Sequence, residues 1–367
     1  MILTGFELKN FRNYERLEIE FSPKENIIVG GNAQGKSNLL EGVYFLSRLK
    51  SNRSPRMREL VLEGQERASV RGVIIDGEAR LNIEISLGSG GRNVEVNGQK
   101  VESAARARGL VKCVMFSPED LYIVKGDPAR RREFLDEIME GLGPMAAQQI
   151  LHYKHVLRQR NAALRLCELS GGGRYTYLEP WNDSLAKAGA VIVGARVRMV
   201  KEIGEKIEQA YYEVSGEERD IRVNYKCTFE PGGSVSTVEE RMREELEKTA
   251  SIEEGARTTV IGPHRDEVEI TLGGRDARFS ASQGEQRTIA FCMRIIQKGY
   301  LENETGKLPI LLLDDVLSEL DRDRRRGVLE VAGSGSQALI TTTELPEEKA
   351  RDRVKVFRVK NGRVGVD

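Results

Sequence analysis

Aromatic residues make up only 6% of the 367 positions, with a single tryptophan. Proteins that grip single-stranded nucleic acid by stacking need aromatic rings interleaved with cations. Any nucleic-acid contact here is therefore expected through phosphates rather than bases. Net charge is also missing: 57 Lys+Arg balance 57 Asp+Glu, so there is no global pull on polyanions and only local patches remain. The four cysteines (Cys113, Cys167, Cys227, Cys292) contain no C-x-x-C pair. That excludes a zinc ribbon or disulfide framework and fits small buried residues in a reducing compartment. No apolar run approaches membrane length, and charge interrupts the first seven residues. A soluble, cytoplasmic protein with no membrane partner is expected. There is no internal repeat, low-complexity tract or sustained heptad, which argues against a long coiled coil. Of the three histidines, His152 and His155 share a helical face with no carboxylate or cysteine to complete a metal site.

What is present begins with Gly30-Gly31-Asn32-Ala33-Gln34-Gly35-Lys36-Ser37, a match to G-x-x-x-x-G-K-[ST]. The apolar Ile27-Ile28-Val29 precedes it as a central strand, and Leu39, Leu40, Val43 and Leu46 follow at helical spacing. Lys36 and Ser37 thus open a helix, where unpaired N–H groups and the helix dipole favour a phosphate. Backbone N–H groups from Gly31 to Ser37 are expected to wrap the phosphates of ATP, with Lys36 on the β and γ oxygens and Ser37 on Mg²⁺. Near the other end of the chain, Ile310 to Leu313 reads as a strand buried in a parallel sheet and ending in Asp314-Asp315. Asp314 is expected to hold Mg²⁺ and Asp315 to orient or deprotonate the attacking water. These halves must meet, so both chain ends fold into one ATPase with most of the middle inserted as a separate body.

The expected layout is α/β: an ATPase lobe of residues 1–117 plus 307–367, with an inserted, mainly helical lobe of residues 118–306; the motifs below make it resemble an ABC-type, SMC-like ATPase head. Strands are expected over Phe6 to Lys9, Leu17 to Phe21, Val70 to Ile75, Leu81 to Leu87 and Asn93 to Val96. Helices are expected between Pro128 and Tyr212, broken at Ser170-Gly171-Gly172-Gly173. Ile221 to Phe229 and Val268 to Phe279 return to strand patterning around an acidic helix, Val238 to Lys248. A helix from Gly284 to Leu301, another after Asp321, the strand Ala338 to Ile340 and an edge strand Val354 to Val359 complete the pattern.

Ser282-Gln283-Gly284-Glu285-Gln286 resembles the S-x-G-x-Q signature of ABC-type ATPases, whose serine touches the γ-phosphate held by the other subunit. The resemblance implies nucleotide contacts from Ser282, Gly284 and Gln286 across a head-to-tail dimer. Leu169-Ser170-Gly171-Gly172-Gly173 is similar to the transporter signature, but no acidic strand follows it, and it reads as a turn. Ser318-Glu319-Leu320-Asp321 resembles a D-loop.

In sum the chain resembles the RecF family of bacterial DNA replication and repair ATPases, related to SMC heads. The resemblance rests on Phe11-Arg12-Asn13-Tyr14, the phosphate loop, Arg53 to Leu60, Pro118-Glu119-Asp120, Gly126 to Asp136, Gly262-Pro263-His264-Arg265-Asp266 and Leu313 to Asp321. It implies ATP-dependent homodimerisation on DNA, slow DNA-stimulated hydrolysis, and work with RecR and RecO in placing RecA on gapped DNA near the nucleoid. It also implies that Arg12 contacts the nucleotide. The chain departs from the wider ABC pattern in two places: Thr341-Thr342-Thr343 stands at the switch-histidine position, and no Q-loop glutamine follows Phe116. Both point to weak γ-phosphate sensing. Candidate DNA contacts are Arg48, Lys50, Arg53, Arg56 and Arg58, and a second group of Arg106, Arg108, Lys112, Arg130, Arg131 and Arg132. His264 is expected to order a loop near the signature or nucleotide, or simply to form a turn. The other readings are an ABC transporter subunit, a metabolite kinase and a structural SMC-like head. They would require, respectively, a membrane-partner helix with a switch histidine, an acidic strand close to Lys36, and a long coil.

Overall fold

The computed structural model describes residues 1–54, 56–166, 174–316, 325, 327, 335–345 and 354–366. The Leu169 to Gly173 turn, the Ser318 to Asp321 segment and most of the helix expected after Asp321 lie outside the described residues. In chain order the elements are β1 (Ile2–Phe11), β2 (Tyr14–Glu20), β3 (Glu25–Val29), α1 (Lys36–Arg48), β4 (Ala68–Asp76), β5 (Ala79–Gly88), β6 (Gly91–Val96), β7 (Gln99–Lys100), β8 (Cys113–Phe116) and α2 (Leu121–Lys125). There follow α3 (Pro128–Leu142), α4 (Pro144–Leu166), α5 (Arg174–Ser215), β9 (Ile221–Lys226), α6 (Val235–Lys248), α7 (Ala250–Ala256), β10 (Glu267–Leu272), β11 (Arg275–Asp276), α8 (Ala277–Ser280), α9 (Gln283–Thr305), β12 (Ile310–Leu313), β13 (Ala338–Thr342), β14 (Val354–Lys360) and β15 (Arg363–Val366).

An antiparallel sheet runs β2-β1-β4-β5-β6-β7, and a second sheet runs β15-β14-β3-β13-β12-β8. Within the second, every pairing from β14 to β8 is parallel. Its central strands are apolar at consecutive positions because both faces are covered. Successive side chains point to opposite faces, and the two sets feed two cores. Cys113, Met115, Ile310, Leu312 and Leu339 join α1 and the antiparallel sheet. Val114, Phe116, Leu311, Leu313, Ala338 and Ile340 join the helical lobe.

Helix α1 is sandwiched between the two sheets, so it shows no polar stripe: every residue from Leu39 to Arg48 is buried. The two buried charges in that stretch need partners. Glu41 takes the guanidinium of Arg12, and Arg48 donates to the carbonyls of Glu137 (2.8 Å) and Cys113 (3.1 Å).

The inserted segment does not stand apart as a separate body. Its α9 lies against the second face of the parallel sheet, with the Phe116 and Phe291 rings 4.9 Å apart. Arg294 of α9 bonds Asp120 after β8 at 2.6 Å and Glu137 of α3 at 3.0 Å. The apolar outer face of a parallel sheet must be covered by something, and here the insert covers it.

Two other expectations change. Val354 to Val359 is not an edge strand, because β14 pairs with β3 on one side and β15 on the other. Asn361 and Gly362 (φ 50° and 69°) form the tight turn that recruits β15 as the true edge. The strand expected to reach Phe279 stops at Leu272, where Gly273 and Gly274 (φ 57° and 73°) turn the chain into β11 and then α8. Among the described residues no helix is long and apolar enough to cross a membrane.

Candidate functional site

The site lies at the carboxyl ends of the parallel strands, where such sheets open a crevice. The order β3-β13-β12 brings the two halves of the chain together. Val29 is paired with Thr342 and Leu313 with Ile340, so the loop after β3 and the carboxylates after β12 flank the end of β13. Ser37 Oγ donates to Asp314 Oδ1 at 2.8 Å, across 277 positions of the chain. Thr341 Oγ1 donates to the same oxygen at 2.9 Å and accepts the backbone N–H of Asp315 at 2.8 Å. Thr341 therefore fixes both acidic positions. Nothing in the sequence marked that role beyond its register opposite Asp314.

Within the loop, Ala33 (φ 61°) and Gly35 (φ 116°) adopt left-handed backbone that curls the chain around an open centre. Gly30 cannot carry a side chain, since a Cβ there would lie 2.4 Å from the Val359 carbonyl oxygen. Lys36, largely buried, donates to the carbonyls of Gly30 (2.8 Å) and Gly31 (2.9 Å), while Gly31, Asn32 and Ala33 are exposed. The outer side of the loop is strapped down twice. Asn13 Nδ2 donates to the Gln34 carbonyl at 3.2 Å and Tyr14 donates to the Gly35 carbonyl at 3.0 Å. From the other chain end, Gly362 N donates to the Gln34 carbonyl at 3.1 Å and Asn361 N to Gln34 Oε1 at 2.7 Å.

Burial raises the Asp314 pKa above the usual carboxylate value, opposed by the hydroxyls of Ser37 and Thr341 and by Arg53, and reinforced by Glu119. Asp315 holds φ at 51°, a conformation costly for a side-chain-bearing residue and common at working sites. The Ser37 hydroxyl and Asp314 carboxylate converge on one spot and are hard oxygen donors, so the set fits Mg²⁺.

Other sequence candidates separate. Arg12 makes a bidentate pair with Glu41 (2.7 and 2.9 Å) and donates to the Glu59 carbonyl at 2.9 Å. Ser282 and Gly284 open α9 at the surface. Gln286 is not on that surface but points inward, its amide donating to the carbonyls of Ala277, Arg278 and Ala281 at 3.1 to 3.3 Å. It holds the turn that presents Ser282.

The candidate DNA cations divide the same way. Arg48 is buried, Arg108 pairs with buried Glu140, and Arg131 grips Glu267 through two nitrogens. Lys112 donates to the carbonyls of Gly109 and Leu142, and burial lowers its pKa to about 8. Arg132 donates to the Asp266 carbonyl, Lys50 faces Glu140 at 3.2 Å, and exposed Arg106 and Arg130 pair with Glu102 and Glu133. Arg53, Arg56 and Arg58 remain as an exposed group. His264 is structural: Tyr153 OH lies 2.7 Å from Nδ1 and the Thr259 carbonyl 3.1 Å from Nε2, and burial depresses its pKa to about 4.

Comparison with known proteins gives a family match, described as RecF/RecN/SMC N terminal domain, over residues 2–364. The DNA replication and repair protein RecF of Cyanothece sp. is 38% identical over 347 residues, covering 94% of this chain and 92% of that protein. A solved structure of the recombination mediator protein RecF with ATP in the RecFOR pathway superposes with TM-score 0.91 at 33% identity, over 100% of this chain and 97% of that one. An Smc head bound to the C-terminal winged helix domain of ScpA matches at TM-score 0.55 and 16% identity, over 100% and 98% of the two chains, a likeness of fold alone.

Proposed function

Because the chain belongs to the RecF family of DNA replication and repair proteins, ATP-binding members of the SMC-like ATPases, we propose that it is an ATP-dependent DNA-binding protein of recombinational repair and replication. It dimerises on ATP and DNA, hydrolyses ATP slowly under DNA stimulation, and works with RecR and RecO to place RecA on gapped DNA. The observation that carries this reading is the Ser37–Asp314 bond, which unites the phosphate loop and the acidic strand in one pocket.

In this reading the N–H groups from Gly31 to Ser37 bind the phosphates, and Lys36 leaves its two carbonyl partners for the β and γ oxygens. Ser37 and Asp314 would hold Mg²⁺, which would supply neutralisation of the phosphate charge. Asp315, braced by Thr341, orients the attacking water. Arg12 reaches the nucleotide by exchanging one partner of its Glu41 pair. The second protomer supplies Ser282 and Gly284 to the γ-phosphate. DNA phosphates are met by the exposed Arg53, Arg56 and Arg58.

Binding to duplex, single-strand and gapped DNA, with and without ATP across a salt series, tests this reading. Affinity should rise with ATP and fall steeply with salt; indifference to nucleotide rejects the reading. Asp315→Asn should trap the ATP-bound dimer, and normal turnover by that variant removes Asp315 from its role.

A further inference from the structure

The crevice is short of positive charge for a triphosphate. Asp314, Asp315 and Glu119 bring carboxylates to the ends of β12 and β8, while Lys36 is the cation of the phosphate loop. The neighbouring β13 adds no charge: Thr341 has given its hydroxyl to Asp314, and Thr342 has given its own to the Glu344 carbonyl at 2.9 Å. Arg12 is neutralised by Glu41.

One exposed arginine is built into the edge of this crevice. Arg53 Nη1 donates to Asn38 Oδ1 at 3.5 Å, and Asn38 directly follows Ser37 in the first turn of α1. Asn38 in turn donates at 2.8 Å to Asn13 Oδ1, on the residue that straps the Gln34 carbonyl. The Arg53 backbone is fixed as well. Ser51 Oγ accepts the N–H groups of Arg53 at 2.9 Å and Ser54 at 2.7 Å, and donates to the fully buried Glu41. Because Glu41 stands four positions after Ser37, on the same side of α1, the helix that opens the phosphate site also anchors the arginine's loop. Arg53 is the arginine whose field bears on the Asp314 carboxylate, opposing the effect of its burial. Among the described residues, neither Arg56 nor Arg58 is tied to α1 in this way.

We propose that Arg53 recognises the γ-phosphate of ATP within its own subunit and so sets the preference of this chain for ATP over ADP. The inference rests on the nucleotide reading above and moves Arg53 from the DNA group to the nucleotide, leaving Arg56 and Arg58 for DNA. A guanidinium suits the task, since its planar fork offers a phosphate two parallel N–H donors. The exchange is also cheap. The Asn38 bond is at the long limit for N–H···O, so it orients the guanidinium without consuming it. Asn38 is neutral, and leaving it strands no charge; Arg12, by contrast, can turn away only from a buried carboxylate.

Competition against a fluorescent ATP analogue tests this, on the full chain with Mg²⁺ and without DNA, at a dilution where sedimentation shows monomer. Wild-type protein should bind a nonhydrolysable ATP analogue more tightly than ADP. Arg53→Ala should hold ADP as the wild type does and the ATP analogue about tenfold more weakly. Arg53→Lys should recover only part of that loss, because it keeps the charge without the fork. A full ATP preference in Arg53→Ala overturns the proposal, and a loss of duplex DNA affinity in the same variant returns Arg53 to the DNA group. Equal losses for both nucleotides make Arg53 a prop of its loop and overturn the proposal as well. A wild-type chain that binds both nucleotides alike overturns this inference alone; one that binds neither overturns the nucleotide reading with it.

Discussion

Helices α1 and α9 both open beside a glycine-bearing motif, but α1 starts at Gly35 with no side-chain cap and no acid in its first turn. In contrast, α9 starts inside a closed capping box, with Glu285 accepting Ser282 N and Ser282 Oγ, each at 2.8 Å. The first helix leaves its N-terminal donors and positive dipole end for an incoming anion. The second has already met those needs with its own carboxylate. One end is ready for phosphate, and the other must release Glu285 before Ser282 can receive one. Arg219, 3.5 Å from Glu285, stands where it can take that carboxylate.

The contrast should be broken most severely by Lys36→Ala, which removes the only side-chain cation inside the loop among the described residues. Titration with a fluorescent ATP analogue should show binding reduced by about 100-fold or more, on the scale of a lost buried phosphate contact. Gly35→Ala comes next. Its φ of 116° and a Cβ 2.6 Å from Asn13 Nδ2 should cost about 2 kcal/mol in urea unfolding, whereas Gly284→Ala, inside α9 and without a left-handed φ, should cost well under half of that.

Acidification separates the two ends by sign. Asp314 has a raised pKa, so it takes up a proton at a higher pH than an ordinary aspartate. Protonation there stabilises the empty fold, a gain lost as pH rises through the folded value, and it competes with Mg²⁺. Mg²⁺-dependent nucleotide affinity should therefore weaken on acidification, at a higher pH than an ordinary aspartate would give. Glu285, whose pKa is lowered by its Ser282 hydrogen bonds first and by Arg219, keeps its cap through that window and loses it only as pH falls through its depressed value. A pH series of nucleotide titrations beside α-helical melting curves distinguishes the two behaviours. The smallest expected effect is that of Glu285→Gln, which should lower stability by about 0.5 kcal/mol and tighten the ATP-dependent dimer, since a neutral amide blocks Ser282 less. Weaker dimerisation in that variant would mean that Glu285 helps the serine rather than guarding it.

The two ends also differed in how legible they were. The phosphate loop and acidic strand could be read because an apolar run, a glycine spacing and a carboxylate pair each constrain the backbone locally. The strap across the loop could not, because Asn13, Tyr14, Asn361 and Gly362 act through contacts between distant parts of the chain. Gln286 looked like its motif neighbours, and only the packing shows it turned inward. Arg48 read as part of a basic run because α1 is covered on all sides, which erases the periodicity that separates inner from outer positions. Arg108 and Arg131 misled for a related reason: charge counting cannot see the glutamates, Glu140 and Glu267, that face them. The outer β15 strand was missed although the Asn361-Gly362 turn was there to announce it.

The double strap on the phosphate loop also bears on biosynthesis. Gln34 leaves the ribosome 327 residues ahead of the Asn361 that ties it down. At bacterial elongation speeds, that delay is on the order of tens of seconds. For most of that interval the glycine loop lacks its carboxylate strand, and throughout it lacks its fastening turn. Full fastening of the loop is thereby deferred until the β14–β15 hairpin has been made.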